Sequence, residues 1–220
     1  MFHRSLRLGR ELAGRASAIL EALVKGGRCR LEDVVALSYQ EIRGGEIQKL
    51  ARLFDVSRVP AAGFTPPKFS TPYDALAEEA LQVLFDEILA RDNRLLFAVI
   101  VDLNSYGPTH NRIYMKDWTG DPARDLAGNR IKRFFTDARV LVRGARTGLG
   151  AVAEGLHERA TEADFLGAGC SLDETPAMRD AFLVQTYARD TGALVTALSV
   201  PLHVCGRRYG ASLLGWTEAG

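Results

Sequence analysis

Apolar residues recur every three or four positions through Leu6, Leu8, Leu12, Ala16, Ile19 and Leu23, with arginines between them and Gly26-Gly27 as a stop. This spacing predicts an amphipathic helix of about six turns. Its apolar stripe packs either on the same chain or on a second copy, in which case the helix is a dimerisation element. Residues 31–37 and 46–54 predict two shorter helices, the second with Ile47, Leu50 and Phe54 on one face, separated by the loop Arg43-Gly44-Gly45. Pro60, Gly63, Pro66, Pro67 and Pro72 exclude a regular helix or central strand over 58–72, which therefore reads as a surface connection. At its end Thr71-Pro72-Tyr73-Asp74 offers an N-cap, a proline at the first helical position and an acid in the first turn. The helix they open carries the stripe Tyr73, Leu76, Ala80, Leu84 and Ile88.

After Asp92-Asn93 the pattern changes. The run from Leu95 to Val101 is too short for a helix and apolar on both parities, as a central strand covered on both faces is. Residues 104–121 are rich in Asn, Ser, Gly, Pro, Thr and Asp, with a strand-like stretch only around 106–114. Helical spacing returns over 129–142 through Ile131, Phe134, Phe135, Ala138 and Val142, and a short helix is expected over 151–161. Gly144, Gly148 and Gly150 read as loop or hinge, since no G-K-[ST] follows and no strand precedes them. The period then becomes two: 182–187, 194–204 and 209–216 predict a three-stranded meander with turns at 189–192 and 205–207. In its middle strand Leu198, Val200 and Leu202 point one way and Ala197, Ser199 and Pro201 the other, a large face and a small one. Pro201 requires an edge or a bulge there. Helices first, then a strand, further helices and antiparallel strands make an α+β pattern. A single domain is expected, mainly helical over 1–93 and with the sheet over 94–220, the N-terminal helices packing on a PAS-like antiparallel sheet.

Composition narrows the function classes. The chain has 28 Lys plus Arg against 27 Asp plus Glu, so its overall field favours neither nucleic acid nor anionic membrane. Cys29, Cys170 and Cys205 are odd in number and far apart, which argues against a disulfide framework and a cysteine zinc site, and for a reducing, cytoplasmic setting. No apolar run is long enough for a signal peptide or membrane span.

Four segments, in order, resemble the PAS-like or Cache-like sensor region associated with bacterial methyl-accepting chemotaxis receptors. They run over 101–111 (Val101-Asp102-Leu103-Asn104-Ser105-Tyr106-Gly107-Pro108-Thr109-His110-Asn111), 128–137 (Gly128-Asn129-Arg130 to Phe134-Phe135-Thr136-Asp137), 182–192 (Phe182-Leu183-Val184-Gln185-Thr186-Tyr187 onward) and 200–210 (Val200-Pro201 to Tyr209-Gly210). Ser105 and Tyr209 stand where that family commonly has Gly and Trp, and the spacing from Asp137 to Phe182 is longer than usual. The resemblance covers about residues 12 to 217 and implies a small-ligand sensor of chemotaxis signal transduction, acting on a partner protein or receptor. The long coiled-coil hairpin of such receptors is lacking, so the chain is expected to be either a fragment or a free-standing relative.

A ligand site is expected between the sheet and its covering helices, from Asp102, Asn104, Tyr106, His110, Asn111, Arg130, Arg133, Gln185 and Tyr187. Arg130 or Arg133 suits a carboxylate, Asp102 an ammonium, and Tyr or Gln the ligand's orientation, so that an amino acid or small organic acid fits the set. The competing structural role is an ion-pair network of Asp102, Arg130, Arg133 and Asp137, with Asn104 and Asn111 satisfying loop backbone. His110 and His203 raise a metal or haem site, but H-x-x-x-H and C-x-x-C-H are absent; Ser105 lacks the G-x-S-x-G elbow of a hydrolase. Neither a cofactor nor enzymatic turnover is expected. Arg139, Arg143 and Arg146 read as a solvated basic face. The alternative function is an unliganded module that dimerises or docks a partner, its pocket filled by Phe134, Phe182 and Trp216.

Overall fold

The computed structural model describes residues 2–136, 139–188 and 192–217. Helix α1 (Phe2–Lys25) follows the predicted spacing, with Leu8, Leu12, Ala16, Leu20 and Leu23 buried in its own chain. A short α2 (Leu31–Val35) follows, and β1 (Gln40–Glu41) pairs antiparallel with β2 (Phe69–Ser70). Between these strands the α-helix expected over 46–54 is instead a 3-10 helix, Gly44–Leu50. Two glycines at its start disfavour a full α-helix. Ile47, Leu50 and Phe54 nevertheless share a small core with Phe64, Trp118 and Ile131. Inside that core Lys68 is buried, donating to the carbonyls of Asn129 (3.3 Å) and Ile131 (2.8 Å). Its ammonium lies 5.5–5.8 Å from the ring centres of Phe54, Phe64 and Trp118.

Helix α3 (Asp74–Leu89) starts two residues later than predicted. The Asp74 carboxylate turns back to accept from the Thr71 N–H at 3.0 Å and from the Thr71 hydroxyl, so the expected cap is itself held by the helix. Its buried stripe is Ala77, Leu81, Leu84, Phe85 and Ile88, while Ala80 is exposed. Strand β3 (Leu95–Asp102) leads to β4 (Tyr106–Gly107), α4 (Pro122–Gly128) and β5 (Arg133–Phe134), the last paired with β4. The helix expected over 129–142 does not form. Asn129 ends α4, and the Arg130 and Phe135 N–H groups donate to the carbonyls of Tyr114 (2.8 Å) and Ser105 (2.9 Å), drawing the segment onto the 105–114 loop. Helix begins again only at α5 (Arg139–Ala145); Ala138 and Asp137 lie outside the described residues. Helices α6 (Ala151–Gly155), α7 (Glu162–Gly167) and α8 (Pro176–Asp180) complete the crossing, where one short helix over 151–161 was expected.

The meander forms as predicted from β6 (Leu183–Ala188), β7 (Leu194–Val204) and β8 (Arg207–Trp216), although most of the expected 189–192 turn lies outside the described residues. With β3 it makes a four-stranded antiparallel sheet in the order β3-β8-β7-β6. The fold is α+β. Strand β3 is therefore an edge, not a central strand; its apolar character on both parities reflects cover on both faces. Pro201 lies in the part of β7 that runs past the end of β6, whose Leu183 pairs with Ser199, and beside a register shift at Leu202/His203. Its missing N–H thus interrupts no bond to β6.

Register places Ala98, Ile100, Leu198, Val200 and Leu214 on one face and Phe97, Val99, Ala197, Ser199 and Leu213 on the other. Helix α1 packs on the first face: a Cβ at Gly9 would meet Leu198 and Val200 at 3.2 Å, and the Ser212 hydroxyl donates to the Gly9 carbonyl at 2.9 Å. Each fully buried leucine of this layer is worth about 1.5–3 kcal/mol. Helix α5 crosses the second face, where a Cβ at Gly144 would come within 2.5 Å of the Ser199 hydroxyl. Small side chains below and a glycine above let helix and strand approach closely. No helix among the described residues is long and apolar enough to cross a membrane.

Beside Asp102, a Cβ at Gly210 would overlap the carbonyl oxygen of Val101 and the backbone of Asp102. Backbone cannot rotate aside as a side chain can, so Gly210→Ala is expected to cost about 3 kcal/mol. Thermal unfolding followed by circular dichroism checks this; an unchanged midpoint would remove the close approach as the reason for that glycine.

Candidate functional site

The end of β3 is built by its own polar residues. Asp102 Oδ1 accepts from the N–H groups of Asn104 (2.8 Å) and Tyr106 (3.0 Å), and the Ser105 N–H closes the turn on the Asp102 carbonyl at 2.9 Å. Ser105 sits at φ 61°, a left-handed conformation that glycine adopts most cheaply. The Tyr39 hydroxyl donates to Asp102 Oδ2 at 2.5 Å, and Asn104 Nδ2 donates to the Ala160 carbonyl at 2.8 Å. Tyr106 sends its hydroxyl to the Phe69 carbonyl (2.9 Å) and Asp74 (2.5 Å). Asp74 and Glu78 in turn flank the buried Lys132 ammonium at 3.1 and 3.0 Å, tying the 131–135 segment to α3. Asp102, Asn104 and Tyr106 thus hold the scaffold.

The same holds for two more of the sequence candidates. Asn111 Oδ1 accepts the Ala98 N–H at 2.9 Å, and the Tyr114 hydroxyl donates to the Leu96 carbonyl at 3.1 Å. Side chains of the loop thereby satisfy the backbone of β3 at the sheet edge, in place of a further strand. Gln185 Nε2 donates to the Val140 carbonyl at 2.9 Å, fastening β6 to α5.

The remaining candidates gather on the small-residue face. Phe97, Val99, Leu213 and Tyr187 from the sheet, His110 from the loop, Arg130 and Phe135 from the segment after α4, and Leu141 from α5 line a small hollow. Within it about 20 Å³ is free for the centre of a water-sized molecule. The His110 ring stands edge-on to Tyr114, Phe135 and Phe97, with centroids 4.7, 6.0 and 6.2 Å away, and its Nδ1 accepts the Asn111 N–H at 2.9 Å. Arg130 and Arg133 both lie over the Phe135 ring, at 5.4 and 5.2 Å, and both donate to the Leu126 carbonyl, at 3.4 and 3.2 Å. One ring and one carbonyl thus orient two guanidinium groups, of which Arg130 borders the hollow.

Three of the nine sequence candidates, His110, Arg130 and Tyr187, therefore come together, and Arg133 stands behind them. The apolar lining was legible only as core: Phe97, Val99 and Leu213 share a face by parity, whereas Phe135 and Leu141 were read as one helix. Of the proposed pocket fillers, Phe134 and Trp216 are buried, but Phe182 is exposed and packs against Phe2 with centroids 5.3 Å apart.

Two other expectations change. Arg139 and Arg143 are exposed, but Arg146 is fully buried and donates to the carbonyls of Leu103, Ala153, Leu156 and His157 at 2.8–3.0 Å and to Asn104 Oδ1 at 3.2 Å. A planar guanidinium with donors on every side suits such a cluster of carbonyls. His203 is mostly buried, its Nδ1 3.8 Å from Glu174; burial, then the nearby Arg208, lowers its pKa to about 4. Among the described residues no three His, Cys, Asp or Glu side chains gather as a metal site. Comparison of the chain with protein-family models, with curated proteins and with solved structures gives no match.

Burial raises the Asp102 pKa from 3.8 to about 7, against the opposing pull of its bonds from Tyr39 and the turn amides. A carboxyl whose folded pKa is raised stabilises the fold below its unfolded pKa and loses that contribution as pH rises to the folded value. Stability is thus expected to fall between about pH 4 and about pH 7 by on the order of 4 kcal/mol from this group. Asp102→Asn keeps an acceptor for the turn amides and should flatten that slope. Denaturant titrations across this range test it; a slope unchanged in the variant would exclude Asp102 as its source.

Proposed function

We propose that this chain is a sensor module for a small organic ligand, of the chemotaxis type implied by its four resembling segments. One observation carries the reading: three of those segments, far apart in sequence, send His110, Arg130, Phe135 and Tyr187 to one hollow on the small-residue face of the sheet. Their polar neighbours in the same segments, Asp102, Asn111, Lys132 and Gln185, hold turns, an edge and a helix, so the segments form a scaffold together with what it frames. The strand order, with the last strand of the chain beside the first strand of the sheet, supports a PAS-like architecture. Free thiols at Cys29, Cys170 and Cys205 fit a cytoplasmic setting.

Signal transfer follows from the layers. A ligand in the hollow presses on Leu141 of α5 and on Phe97, Val99 and Leu213 of the sheet. The next residues along those strands, Ala98, Ile100 and Leu214, support α1 on the opposite face. A ligand that prefers one packing of α1 over another shifts the population of the two, and a signalling partner reads the helix.

A thermal-shift panel of amino acids, organic acids and purines tests the reading, because a ligand specific to the folded state raises Tm. A hit should be lost in Leu141→Phe, which fills the hollow from the helix side. No shift with any compound would favour the module that only dimerises or docks a partner.

A further inference from the structure

We infer that β6 is the dimerisation edge of this protein: a second copy of the chain extends the sheet by pairing its own β6 antiparallel to this one, about a two-fold axis near Gln185. The inference stands apart from the sensor reading and holds with or without a ligand in the hollow. The two edges of the sheet are treated differently. At β3 the loop side chains of Asn111 and Tyr114 take up backbone groups. At β6 the ladder to β7 runs through six pairs without a register shift, and among the described residues no backbone group outside that ladder bonds Val184, Gln185 or Thr186. An open edge is usually protected by a lysine, a proline or a bulge. Residues 182–188, Phe-Leu-Val-Gln-Thr-Tyr-Ala, contain neither charge nor proline.

The side chains identify the occupant as a second copy. Val184 pairs with Leu198, and the Thr186 and Thr196 hydroxyls bond at 2.9 Å, so the even positions of β6 lie on the α1 face. That helix leaves this strip of the face uncovered: Phe182, Val184 and Leu194 are 44%, 40% and 67% exposed, and Phe2, packed on Phe182, is 38% exposed. In antiparallel self-pairing about Gln185, Val184 of one protomer stands beside Thr186 of its partner, and Phe182 beside Ala188. Ala188 in turn pairs with Leu194. The partner's Phe182, backed by the partner's Phe2, therefore spans the small Ala188 to reach Leu194, and the two-fold axis repeats the contact. The projection on one copy thus fits the gap on the other. An isologous interface must also suit itself in charge, and an uncharged strand meets no like charge in its own copy. Aromatic and aliphatic side chains without charge are the composition of an interface core.

Sedimentation equilibrium of the whole chain over a range of concentrations should show a monomer–dimer equilibrium. Val184→Lys and Thr186→Lys, both at exposed positions, place like charges near the two-fold axis. Each should raise the dimer dissociation constant about tenfold or more while leaving the circular dichroism spectrum unchanged. In the unmodified protein, amide hydrogen exchange in β6 should slow as concentration rises while exchange in β3 stays constant, which locates the interface whether or not the variants fold. A monomer at every concentration, a dimer undiminished by either lysine, or β6 amides that exchange at a rate independent of concentration would overturn the inference. Each of these outcomes leaves the sensor reading untouched, since that reading is tested by ligand-dependent Tm.

Discussion

The alternation of large and small side chains along β7 is the constraint on which the arrangement depends. Leu198, Val200 and Leu202 face α1, whereas Ala197, Ser199 and Pro201 face the crossing segment. On the large side the contact is an ordinary helix-on-sheet layer, with Gly9 allowing α1 to settle onto Leu198 and Val200. On the small side β7 contributes little volume of its own between Ala197 and Pro201. Gly144 meets Ser199 with almost no gap, and the space beside that contact is filled from elsewhere, by Phe135, His110 and Leu141. A hollow results because residues brought from several loops do not tile the surface as completely as one amphipathic helix does.

Buried polar groups fix those loops. Asp102 closes its own turn, Asn111 satisfies the edge of β3, Lys132 joins Asp74 and Glu78, and Arg146 gathers carbonyls from the end of β3 and from the 153–157 segment. Each replaces a regular ladder or helix with a specific side-chain bond, and removing one partner would strand another in a dry interior. The motif residues most suggestive of chemistry are for this reason largely structural. The groups left to border the hollow are an arginine, a histidine and a tyrosine set in an aromatic and aliphatic wall. The hollow they border lies one sheet thickness from α1.

Much of this was legible in the residues. The spacing of Leu8, Leu12, Ala16 and Leu23 gave α1, and period-two alternation gave the meander and its two faces, because both are local consequences of backbone geometry. The breaker-rich stretch over 58–72 read correctly as mostly irregular for the same reason. The 129–142 helix failed because Ile131, Phe134 and Phe135 have helical spacing by coincidence: the amides of Phe135 and of Arg130, beside Ile131, bond to Ser105 and Tyr114, and those long-range bonds outweigh a local preference. Arg146 was misread because nothing near it in sequence announces the carbonyls that surround it.

By itself the sequence determined the α+β class, the long N-terminal helix, the four strands of the main sheet and a set of polar residues concentrated after β3. Tertiary structure alone decided that β3 is an edge latched by Asn111, that Asp102, Asn104 and Tyr106 belong to the scaffold, and that His110, Arg130 and Tyr187 meet. The division has a physical cause. Periodicity and turn chemistry act over a few residues, whereas a side chain's partner within hydrogen-bond reach is set by how distant segments pack, and no local pattern encodes it.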